Sequence, residues 1–169
     1  PPRRRFTQRR VLLVLAVAAG AALLATVIVR NDETGRVGSA VPTTSTPAFT
    51  GTWTADREHS MFQAGVRHMG VGSFRTTFDD VTARLSALAD GTLALDGRAQ
   101  VASIAIRTPA EFRAHVLDSD DFFAAARFPE IVFASRDVQL REDGTAEVRG
   151  DLTIKDATRP IVASGTYAT

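Results

Sequence analysis

The stretch Glu130–Ile154 reads EIVFASRDVQLREDGTAEVRGDLTI. Two strand-like runs, EIVFASRDVQL and TAEVRGDLTI, flank Glu142-Asp143-Gly144. An Asp-Gly pair between two such runs is the chemistry of a hairpin, because glycine accepts the positive φ that a tight turn demands. This stretch therefore predicts an antiparallel pair and sets the class of the fold.

The same pattern extends in both directions. GTLALDGRAQVASIAI follows a second turn signal, Asp90-Gly91, and alternates over a long run. Upstream, Phe62, Ala64, Val66 and His68 share one side of a strand, while Gln63, Gly65 and Arg67 share the other. GSFRTTF places Phe74, Thr76 and Phe78 on one face, and RPIVASGTYAT does the same with Ile161, Ala163, Gly165 and Tyr167. Two regions read as helical. TPAEFRAHVL offers Thr108 as N-cap, Pro109 in the first turn and Glu111 to complete a capping box. SDDFFAAARFP offers a second start at Ser119, with Asp120 and Asp121 set against the helix dipole and Phe128-Pro129 closing it. The expected fold of residues 50–169 is mainly β, with antiparallel strands and two short inserted helices.

A curved sheet with phenylalanines on one face needs cover. Closing into a barrel supplies it, with an interior that is either packed or holds one apolar ligand. The rings concerned are Phe62, Phe74, Phe78, Phe112, Phe122, Phe123 and Phe133. Periodicity alone favours ordinary core packing for them and does not distinguish a filled barrel from a hollow one.

The N-terminal third is different. VLLVLAVAAGAALLATVIV, Val11 to Val29, carries no charge and spans about 28 Å as a helix, close to the hydrocarbon thickness of a bilayer. Lipid offers no backbone partners, so a transmembrane helix is expected over 11–29. The basic tail over 1–10 carries Arg3, Arg4, Arg5, Arg9 and Arg10 and is expected to stay in the cytoplasm, with the remainder exported as a single-pass protein. Cleavage at the small residues Gly38 to Ala40 would instead release a secreted domain. Residues 30–49, rich in Thr, Ser and Pro, read as an extended linker.

Those five arginines belong to a total of 20 basic residues, leaving 15 basic against 19 acidic side chains elsewhere, a net of −4. The sequence pI near 9.0 therefore reflects the tail, and nucleic-acid binding by the body is not expected. The 169 residues contain no cysteine, which excludes disulfides, thiolate metal sites and a cysteine nucleophile within them.

Five motifs in order resemble one family. WTADREHS at Trp53–Ser60, VRHMGVGSF at Val66–Phe74, FRAHVLDSDDFF at Phe112–Phe123, RFPEIVFAS at Arg127–Ser135 and VRGDLTIKDATRPI at Val148–Ile161 are similar to the YceI-like family. The resemblance implies a lipocalin-like antiparallel β-barrel whose elongated cavity holds a polyisoprenoid or another long-chain lipid, in an exported bacterial protein. It places the seven phenylalanines around that ligand, with His59 and Ser60 hydrogen-bonding near the mouth. There are two departures. The family usually has glycine where this chain has Asp156, and it usually continues for several strands beyond the segment ending at Thr169, so an incomplete barrel is expected.

Chemistry at the histidines is not expected. His59 and His68 are an odd number of positions apart, which places them on opposite faces of a regular strand. A zinc site needs three convergent ligands, and His115 on its helix has no acidic partner at metal spacing. There is no G-x-S-x-G, P-loop or dinucleotide fingerprint, so neither catalysis nor a cofactor is expected. The leading reading is a membrane-tethered lipid-binding module. The rival is a solid-core β domain displayed on a stalk for a protein partner.

Overall fold

The computed structural model describes residues 11–19, 23–29, 49–68 and 72–167, with side chains over 49–65 and 74–167. Ten strands run in chain order as β1 (Val11–Ala19), β2 (Leu23–Val29), β3 (Thr52–Thr54), β4 (Met61–His68), β5 (Gly72–Phe78), β6 (Val81–Ala87), β7 (Leu93–Gln100), β8 (Glu130–Leu140), β9 (Thr145–Ile154) and β10 (Ala157–Thr166). Among the described residues one α-helix, α1 (Ala110–Asp118), and a short 3-10 turn at Val101–Ser103 lie between β7 and β8. The strands form a single antiparallel sheet in the order β3-β6-β7-β8-β9-β10-β2-β1-β4-β5.

The hairpin expected at Glu142-Asp143-Gly144 joins β8 to β9. Asp143 Oδ1 accepts from the Thr145 amide at 2.9 Å and from its hydroxyl at 2.6 Å, while Gly144 takes φ +79°. The same Asp-Gly-Thr triplet makes the same pair of bonds at Asp90–Thr92 between β6 and β7. In each triplet the threonine hydroxyl and amide hold the aspartate pKa below the usual carboxylate value, the hydroxyl contributing more.

Alternation turns one face of each strand inward. Phe62, Phe78, Val81, Ala99, Ile131, Phe133, Val148 and Ala163, drawn from seven strands, share one buried cluster. Strands β4 and β5 lie far from β6–β8 in sheet order, so their residues meet the same cluster only because the sheet wraps around it. It does not close. Among the described residues no ladder joins β3 to β5, so no closed barrel is found and the sheet is open and curved, which the expectation of an incomplete barrel allowed. The edge of β5 is met instead by the segment after β7: the Ala105 amide donates to the Thr77 carbonyl at 2.8 Å, and Phe78 bridges Ile104.

Three expectations are corrected. Residues Val11–Val29 are not one helix; β1 and β2 pair from Leu13↔Val29 to Ala19↔Leu23 and sit between β10 and β4. An uncharged Val- and Leu-rich run satisfies helix and buried strand equally by pattern, and here the edges of β4 and β10 supply backbone partners. Among the described residues no helix is long and apolar enough to cross a membrane. The second inserted helix does not form either. Ser119 Oγ accepts the Asp121 amide at 3.1 Å as a cap would, but Ala124 takes φ +47° and ends any helical run. The amides of Phe123 and Ala125 turn back to Val116 and Leu117 carbonyls of α1. Finally, Pro109 rather than Thr108 occupies the N-cap of α1, in extended conformation and with no side-chain cap bond, so the Thr108/Glu111 box is not made.

The Asp156 departure is resolved by the turn itself. Lys155-Asp156 forms a two-residue link between β9 and β10, and the positive φ, +58°, falls on Lys155. Asp156 therefore meets no left-handed requirement.

Candidate functional site

The inner face of β4 and β5 carries a row of rings. Strand register sets Phe62 opposite Phe78 and Ala64 opposite Thr76, and Phe74 stands on the same side of β5 as Thr76 and Phe78. Phe62 and Phe78 have centroids 5.4 Å apart and are 2% and 0% exposed. Phe123, from the turns after α1, meets Phe78 edge-on at 5.7 Å, and Phe133 of β8 is buried in the same cluster. A side chain bordering a void that admits water keeps accessible surface, and Phe78 keeps none. This end of the row is solid.

The other end is open. Phe74 is 39% exposed and meets Phe112 of α1 edge-on at 5.9 Å, and Phe112 is 38% exposed. Three residues further along the same side of α1, His115 lies against Phe122 at 5.3 Å, with Phe122 42% exposed. Four aromatic rings thus rim the sealed core, held by α1 and the turns that follow it. These rings make an apolar surface with one imidazole, His115, at its edge.

The structure divides the sequence candidates accordingly. Phe62, Phe78, Phe123 and Phe133 are brought together in the core, and Phe74, Phe112 and Phe122 at the rim. His59 belongs to neither group. It precedes β4, at the far end of the strand from the Phe74 rung, and its Nδ1 lies 2.9 Å from Asp56 Oδ2 on the surface. The hydrogen bond and charge of Asp56 raise the His59 pKa above the ordinary histidine value. Its folded-state pKa being raised, the protonated pair adds stability below the unfolded pKa, and that contribution is lost as pH rises through the folded pKa. Asp56→Asn should therefore return the His59 titration, followed by ring NMR shifts, towards the free value; an unchanged titration would discount the pair. Ser60 is buried, and the His68 side chain lies outside the described residues. Among the described residues no three metal-ligating side chains come together.

Two positioning residues left no signal in the sequence. Arg113 of α1 donates to the carbonyls of Ala102 at 2.6 Å and Ile104 at 3.5 Å, fastening the helix over the sheet. Lys155 Nζ reaches the Asp120 carbonyl at 2.6 Å across 35 positions of chain. A separate open cavity of about 660 Å³ lies on β6–β8, bordered by Arg57, Arg84 and Arg98. Asp80 and Glu130 pair with Arg57 and Arg98, and Asp96 stands in register with Arg84, so it reads as a charge-balanced solvated face.

With this geometry, residues 53–169 match the model of the YceI-like domain. The chain belongs to the YceI-like family. Within the family, a UPF0312 protein of Pseudomonas savastanoi pv. phaseolicola is 30% identical over 118 residues, covering 65% of this chain and 57% of the relative. A UPF0312 protein of Staphylococcus aureus is 29% identical over 106 residues, covering 63% of this chain and 59% of the relative. The chain thus spans little more than half the length of these YceI-like relatives. The crystal structure of Burkholderia cenocepacia BcnA matches with a TM-score of 0.57 at 21% identity, covering 68% of this chain and 71% of that one, and supports the fold.

Proposed function

We propose that this YceI-like chain is an extracytoplasmic, membrane-tethered binding protein that holds a polyisoprenoid or other long-chain lipid on the inner face of its sheet. The observation that carries the reading is the aromatic row, sealed at Phe62 and Phe78 and open at Phe74, Phe112 and Phe122. Membership of a family of proteins that bind hydrophobic ligands such as polyisoprenoids supports it. The driving force is apolar burial, about 0.8 kcal/mol per CH₂ removed from water before the cost of ordering the chain. The tether is the uncharged run Val11–Val29.

A second reading, a solid-core interaction domain on a stalk, draws on the complete burial of Phe78. One preparation separates the two. The full chain, isolated from membranes after a high-salt wash and extracted with organic solvent, is expected to yield near-stoichiometric lipid by mass spectrometry. A lipid-free protein that also takes up no added isoprenoid leaves the interaction domain standing. Release into the wash removes the tether.

A further inference from the structure

Among the described residues only two non-glycine positions have positive φ, Ala124 at +47° and Lys155 at +58°. They lie far apart in sequence but in two turns that touch each other. Ala124 sits in the turns Ser119–Phe128 that follow α1, and Lys155 sits in the β9–β10 turn. Lys155 Nζ donates to the Asp120 carbonyl at 2.6 Å and stands 6.0 Å from the centroid of the Phe128 ring. Backbone held in this sparsely populated region persists only where its surroundings over-determine it, and such positions gather at clamps and switches.

The segment between these points is stapled internally. Arg127 Nη2 is 2.5 Å from Asp120 Oδ1, and the Arg127 guanidinium lies over the Phe128 ring at 5.3 Å. The amides of Arg127 and Phe128 both donate to the Ala124 carbonyl. The segment is thus a compact surface loop closed by its own side chains and backbone. It carries Phe123, which rests on Phe78, and Phe122, which stands at the rim. On the Lys155 side it is fastened by one exposed hydrogen bond and one distant cation–ring contact, while its other attachments run to α1 and, through Phe123, to Phe78 of β5.

We propose that residues 119–128 form a lid over the inner aromatic row, and that Lys155 is the latch that holds it shut. The extended backbone at Ser119 (φ −70°, ψ 140°) and the Phe128-Pro129 junction are the hinges, and the hydrocarbon enters beneath Phe122 and Phe123 when the latch releases. The proposal rests on the lipid-binding reading for what the lid admits, but not for the latch itself.

Lys155→Gly tests both parts, because it removes the ammonium and relieves the positive φ together. Hydrogen exchange of the full chain should show the Phe123 and Ala125 amides opening about fivefold or more faster, while the global unfolding midpoint holds or rises. Uptake of a fluorescent fatty acid from solution should accelerate by a similar factor, and Lys155→Arg, which keeps the cation, should restore both. A merely structural lysine would lower the midpoint without this local change. Unchanged exchange in Lys155→Gly overturns the latch, and faster exchange with unchanged uptake overturns the lid. If neither the wild-type chain nor the variant takes up the probe, the lipid reading fails while exchange still judges the latch.

Discussion

Phe78→Ala is expected to lower the unfolding free energy of the chain by about 3–5 kcal/mol, the usual cost of emptying a ring from a packed core. The ring is fully buried, packed at a tilt against Phe62 and met edge-on by the partly buried Phe123, so its removal empties a space walled by core side chains. Phe74→Ala, only four positions earlier on the same strand face, should cost about 1 kcal/mol, since it loses one edge-on contact with Phe112 and already faces water. Its larger effect should fall on lipid uptake. Equilibrium denaturation of the two variants measures the contrast directly. Equal small costs would mean that Phe78 borders open space, and the sealed end of the row would have to be abandoned.

Gly150→Ala should be nearly as damaging, by about 1–3 kcal/mol or more, although it adds a single methyl. Gly150 lies inward on β9, opposite Ser135 of β8. A Cβ built there would stand 2.7 Å from Phe133 Cζ and would press on the Ala134 carbonyl. The Phe133 ring occupies the space that a side chain at 150 would need. Because the obstacle includes backbone of the neighbouring strand, rotation of one ring cannot relieve it. Combining Gly150→Ala with Phe133→Leu separates the two obstacles: partial recovery in denaturant assigns the loss to the ring, and none assigns it to the carbonyl. A variant as stable as wild type would show that β8 and β9 pack less closely than described.

Both effects bear on how much of the site was legible beforehand. Alternation alone put Phe74 and Phe78 on one face of their strand and Phe62 with Ala64 on one face of another, because side-chain direction in a strand depends only on position parity, and the register of β4 with β5 joined the two. Alternation could not say that Phe62 and Phe78 are sealed while Phe74 is open. That difference is made by α1 and the turns after it, whose Phe112 and Phe123 cover the row unequally. Gly150 carried no signal either, since its constraint comes from a ring and a carbonyl on the partner strand. The failed second helix has a similar cause. Ser119, Asp120 and Asp121 are good helix starters, yet the backbone of Phe123 and Ala125 finds better partners in the carbonyls of α1.

What the amino-acid order determined by itself was everything of short range: the Asp-Gly-Thr turns at 90–92 and 143–145, the strand alternation and the existence of α1. These follow from local sterics and from hydrogen bonds that close within a few residues. The tertiary structure alone decided the pairing of Val11–Ala19 and Leu23–Val29 as strands and the meeting of Lys155 with Asp120. Each of these depends on which partner is within reach across the fold, and reach is a property of the folded surface, not of any window of sequence.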